Sequence, residues 1–103
     1  YDMDSKRNGE ELVQIFRVGP YSIYFWSNEN NPLEPIHVHI AEGKATANAT
    51  KVWITSTGKT ILSHNKSQIP VRTLKKLMRS IEANSGQIIE KWIEQFGEIR
   101  YYC

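Results

Sequence analysis

Glu34-Pro35-Ile36-His37-Val38-His39-Ile40 alternates β-branched and imidazole side chains. Successive residues of a strand point to opposite faces, so His37 and His39 share one face and Ile36, Val38 and Ile40 the other. The rise per residue puts the two imidazoles roughly 6–7 Å apart. A strand with one apolar and one functional face predicts a sheet whose apolar side is covered by something else. Working outward, Leu12–Val18 reads as a strand with apolar residues on both faces, and Gly19-Pro20 as a turn. Tyr21–Trp26 is a second strand, rich in the aromatic residues that favour sheets. Ser27–Pro35 holds three Asn and two Pro and reads as a loop. The third strand spans 36–42 and Glu42-Gly43-Lys44 a hairpin turn. The fourth strand spans 46–54, Thr55–Lys59 turns, and Ile61-Leu62 adds a short fifth strand.

The period then changes. Pro70 suits the first turn of a helix, and Leu74, Leu77, Met78 and Ile81 follow at helical spacing. Asn84-Ser85-Gly86 interrupts the stripe, with Ser85 placed to cap the next helix. Ile88, Ile89, Trp92, Ile93 and Phe96 form a second stripe, and Gly97 sits where a C-terminal cap belongs. The short break predicts an antiparallel helix pair. The expected fold is α+β: an antiparallel meander of four to five strands, then two helices packed on one face. Strand parity assigns Tyr21, Ile23, Phe25, Ile36, Val38, Ile40, Val52 and Ile54 to the helix-covered face. The expected organisation is a flexible segment 1–11, one domain over 12–97, and a tail 98–103.

The net charge of +2 hides a segregation. Residues 1–42 carry a net of −4 and residues 82–103 a net of −2, whereas residues 43–81 hold eight Lys or Arg and no Asp or Glu. Such a basic middle attracts phosphates or is simply a solvated face. Cys103 is the only cysteine, so no intramolecular disulfide forms. No segment approaches the ~20 apolar residues of a membrane span, and no apolar N-terminal run reads as a secretory signal. The expected setting is a reducing cytoplasm, with no membrane partner.

Opposite parity leaves Tyr24, Trp26, His37, His39, Lys51 and Trp53 on the uncovered face. Aromatic residues beside cations stack bases and hold phosphates, but the same face suits a protein interface, a homo-oligomer contact, or cover by the N-terminal segment. His37 and His39 have three readings. As acid and base they flank a phosphodiester, with Lys51 stabilising the charged transition state; such an enzyme is a metal-independent ribonuclease with no cofactor. As metal ligands they supply two of the donors zinc needs, and His64, Glu29, Glu34 or Glu42 completes the set. As structural residues they bond the Asn-rich loop or a neighbouring strand. On the first helix Arg72, Lys75, Lys76 and Arg79 lie opposite the apolar stripe, as a phosphate track or a solvated face. His64 reads as a loop residue.

These residues together resemble the DUF4160 family, small bacterial proteins of unknown function. The likeness runs from about Ile15 to Phe96. It is carried by Gly19-Pro20-Tyr21, Tyr24-Phe25-Trp26-Ser27-Asn28-Glu29, Glu34–Ile40, Lys51-Val52-Trp53-Ile54 and Asn65. Thr50 stands where the family pattern has a small Ala, and Ser67 where Gly is common. The resemblance implies no activity. It implies association with toxin–antitoxin-like gene pairs, beside a DUF2442-type protein as a cognate partner. The leading expectation is a component of such a pair that acts on or binds RNA. In that reading His37, His39 and Lys51 are catalytic, and Tyr24, Trp26, Trp53, Arg72, Lys75, Lys76 and Arg79 bind. The alternatives are a non-catalytic interaction module and a His-x-His metal-binding module.

Overall fold

The computed structural model describes residues 11–29 and 32–103. The expected flexible segment 1–11, apart from Glu11, lies outside the described residues. Five strands, β1 (Leu12–Val18), β2 (Tyr21–Trp26), β3 (His37–Glu42), β4 (Thr50–Ile54) and β5 (Thr60–His64), precede α1 (Val71–Ala83) and α2 (Ser85–Phe96). The strands form one antiparallel sheet in chain order, so each pairs with its sequence neighbours.

The parity assignment holds for the main core. Ile23, Phe25, Ile36, Val38, Ile40, Val52 and Ile54 pack with Leu74, Leu77, Ile81, Ile88 and Trp92 of the two helices, and Tyr21 joins at the margin. β1 departs from simple alternation because its register shifts between Gln14 and Phe16. The extra residue lets Val13, Ile15, Phe16 and Val18 all reach the core, which explains apolar residues on both nominal faces.

Several expectations change in detail, among them the fifth strand, which runs over Thr60–His64 and not only Ile61-Leu62. The fourth strand begins at Thr50, not at 46, because residues 43–49 fold back over β2. There the Thr46 N–H lies 3.3 Å from Tyr24 Oη, which in turn lies 3.4 Å from the Thr46 carbonyl. Ser85 is the first helical residue and not a cap; Asn84 ends α1 and begins α2, its side-chain amide donating to the Ser80 carbonyl at 2.8 Å. Ile93 is 43 % exposed although it belongs to the apolar stripe, since Ile88 and Trp92 already fill the inward face. Gly97 does terminate α2, in the left-handed conformation at φ 75°, with its N–H on the Ile93 carbonyl.

Polar ties fix the helices to the sheet. Glu82 of α1 accepts from both the backbone N–H and the hydroxyl of Thr60 on β5, at 3.0 and 2.8 Å. Asn65 bridges Thr50 and Ile69 ahead of α1. Thr50 and Ser67, the two departures from the family pattern, touch each other through their hydroxyls, so the larger side chains at both positions are accommodated together. The tail packs on the domain: the Arg100 carbonyl accepts from the Ile36 N–H at 2.8 Å, the Cys103 carbonyl from the Ser56 N–H at 3.1 Å, and the Tyr102 ring stacks on Trp53. Among the described residues no helix is long and apolar enough to cross a membrane.

Candidate functional site

Glu29, in the turn after β2, is the residue around which the histidine pair is organised. Its carboxylate folds back to accept from the Trp26 backbone N–H at 3.0 Å. That turn is itself held by reciprocal contacts between Ser27 and Glu11, at 2.8 and 2.9 Å. β3 delivers His37 and His39 to the same carboxylate. His37 Nε2 lies 2.7 Å from Glu29 Oε1 and His39 Nε2 3.0 Å from Oε2. The other ring nitrogen of His37, Nδ1, lies 2.9 Å from the Pro35 carbonyl oxygen. Burial alone would raise the Glu29 carboxyl; hydrogen bonds from His37 and His39, and attraction to both rings, outweigh it and hold the group well below the usual carboxylate range.

The three residues differ in access. His37 is fully buried, Glu29 is 9 % and His39 16 % exposed at the side chain. β2–β3 pairing ends at Tyr24–His39. Beyond it the His37 ring lies against Trp53 of β4 and Trp92 of α2, with centroids 5.6 and 5.4 Å away. His39 sits beside Tyr24 at 5.5 Å. One nitrogen from each histidine and one Glu29 oxygen all lie within 4.8 Å of one another, close enough to share a metal ion.

This differs from an acid/base pair facing a substrate. His37 is enclosed, both its nitrogens are engaged, and the two Nε2 atoms converge on one carboxylate. The expected stacking face also differs. Tyr24 and Trp26 are 0 % and 4 % exposed, packed in a second small core with Ala41, Ala49, Leu12 and Ala45. Buried rings cannot stack on bases. Trp53 is half-buried, covered in part by Tyr102. Lys51 is paired with Glu34 at 2.8 Å, its Nζ 4.4 Å from the centre of the Trp53 ring. Arg72, Lys75, Lys76 and Arg79 are all exposed on α1. α1 packs on the Val38 face of the sheet, and Lys51 and His39 belong to the other, so these cations lie across the sheet from that pair.

His64 is not a loop residue. It ends β5, opposite Lys51. The pairing jumps from Val52–Leu62 to Lys51–His64, so one extra residue, Ser63, turns His64 toward the His39–Lys51 face. Burial, then the charges of Lys66, Lys51 and His39, push the His64 imidazole below its ordinary value.

Glu29 was one of four sequence candidates to complete a metal set, and the turn selects it over Glu34, Glu42 and His64. The only local signal is its place three residues after Trp26, where a carboxylate can reach back to a strand-end N–H. No curated protein and no solved structure matches the chain. The family model described as Domain of unknown function (DUF4160) matches residues 21–93, from β2 into α2, and so contains Glu29, His37, His39, Lys51 and His64. Over that span, which is most of its length, the chain belongs to the DUF4160 family.

Proposed function

We propose that this domain binds a divalent transition-metal ion through Glu29, His37 and His39. The observation that carries the reading is the environment of His37. Nδ1 faces a backbone carbonyl and Nε2 faces a carboxylate, and both partners only accept. A neutral imidazole has one N–H. With that N–H on Nδ1 toward Pro35, the Nε2–Glu29 contact is left for a second proton or a metal ion to bridge. A metal-bound histidine commonly donates its remaining N–H to a carbonyl or carboxylate, which fixes the tautomer. Pro35 supplies that acceptor here and leaves the Nε2 lone pair directed at the convergence point.

The dimensions support this. Zinc bonds imidazole nitrogen at about 2.0–2.1 Å and carboxylate oxygen at about 2.0–2.2 Å, so tetrahedral ligand atoms lie about 3.4 Å apart. The Nε2–oxygen contacts of 2.7 and 3.0 Å need only open slightly. Two imidazoles and one carboxylate suit zinc, or iron(II) in a facial arrangement, and leave at least one position for water or a substrate. Cobalt(II) titration of the untagged protein tests the reading. One equivalent should raise a visible d–d band that His39→Ala abolishes; an unchanged spectrum in the wild type refutes it.

A second reading, contact with RNA, draws on the four exposed cations of α1. Phosphate contacts of this kind weaken steeply with salt. RNA affinity that falls with salt and drops on Lys75→Glu/Lys76→Glu supports it, and salt-insensitive or absent binding removes it.

A further inference from the structure

We infer that the accessible side of the Glu29–His37–His39 centre takes a phosphate-type oxyanion, held between the metal ion and the basic row formed by Lys51 and His64. This rests on the metal-binding reading above. His37 is enclosed by Trp53 and Trp92, so among the described residues the accessible members of the centre are His39 and Glu29, which keep partial exposure. Across the sheet from His39 stands Lys51, and across from Lys51 stands His64. Directly opposed antiparallel residues share a face, with Cβ atoms about 4.5–5.5 Å apart. The three side chains thus form one row leading away from the centre.

The row has features of a receptor for negative charge. The Glu34 carboxylate already sits 2.8 Å from Lys51 Nζ, so an oxyanion fits there. Glu34 is 42 % exposed on the loop, and an entering ligand can exchange with it. Nδ1 of His64 is buried and has no hydrogen-bond partner among the described residues. An N–H at that atom lacks an acceptor as the ring stands, and a turn of the half-buried ring toward an entering phosphate oxygen provides one. The bulge at Ser63 supplies the position: in regular register Ser63, and not His64, would oppose Lys51. A divalent ion on two neutral imidazoles and one carboxylate keeps a net positive charge, which adds to that of Lys51.

Titration of the cobalt-loaded protein with inorganic phosphate tests this, with phenyl phosphate as a second arm. Phosphate should shift the cobalt d–d band saturably. Lys51→Met and His64→Gln should each retain the cobalt affinity and weaken phosphate by about tenfold, the loss expected for one charge-assisted hydrogen bond. Either variant suffices if the other does not fold. Binding of phenyl phosphate as well identifies a phosphate ester; binding of inorganic phosphate alone identifies the free ion. Cobalt binding with no phosphate response, or with equal phosphate affinity in the variants, overturns this inference and leaves the metal reading standing. Absence of cobalt binding overturns both.

Discussion

His37 donates nothing to solvent: its Nε2 lies 2.7 Å from Glu29 Oε1, and the ring has no exposed surface. One turn residue and one strand residue are thereby locked into a buried polar contact that either a proton or a metal ion must mediate. Such contacts are costly to break from one side, because the remaining partner stays buried.

Glu29→Gln should therefore destabilise the metal-free protein near the lower end of the roughly 3–5 kcal/mol seen when one member of a buried ionic pair is removed. Glutamine keeps one acceptor but loses the charge that both imidazoles face. Urea unfolding at neutral pH measures the loss, and a change under about 1 kcal/mol would mean that the contact carries little energy.

The same residue sets an acid limit. A carboxyl held lower in the folded than in the unfolded state adds stability above its unfolded value, near 4.5, and loses it as the pH falls toward the folded value. Wild-type stability should fall below about pH 4.5, and the Glu29→Gln curve should lack that component. Parallel curves between pH 5 and pH 2 would contradict the assignment.

His64 acts in a higher window. Its folded value lies below 6.5, so the unfolded chain binds the extra proton more readily and stability drops as pH falls through 6.5 toward the folded value. His64→Gln should gain on the wild type over that interval. Thermal melts at pH 7.5 and pH 5 give the comparison, and an unchanged difference between the two proteins would count against it.

Two near neighbours on α2 should behave oppositely. Trp92 is fully buried against Phe25, Phe96 and His37. Trp92→Ala should cost about 3–5 kcal/mol. Ile93 is 43 % exposed, and Ile93→Ala should change stability by about 0.5 kcal/mol or less. Similar losses at both positions in chemical denaturation would show that α2 is rotated relative to the sheet.

Much of this architecture is legible in the chain. Alternation in Ile36–Ile40 separates core from site residues because a strand has a period of two, and the Leu74–Leu77–Ile81 spacing separates helix faces in the same way. What is not legible comes from irregular backbone. The bulges in β1 and β5 each add one residue, which no periodicity reveals, and the second one aims His64. Residues 46–49 look like strand by composition but fold over Tyr24, converting an expected open aromatic face into a second core. The histidine pair was visible as a site. Its carboxylate was not, because Glu29, Glu34 and Glu42 are equivalent in sequence, and only the turn bonded to the Trp26 N–H distinguishes them.

Elemental analysis of untagged protein, incubated with zinc and desalted, decides whether the Glu29–His37–His39 centre holds a metal ion. Wild-type protein should carry close to one zinc per chain, and a His37→Gln/His39→Gln variant whose circular dichroism remains folded should lose it. Wild-type protein that leaves the column free of zinc, or a double variant that retains it equally, would contradict a metal centre built on Glu29, His37 and His39.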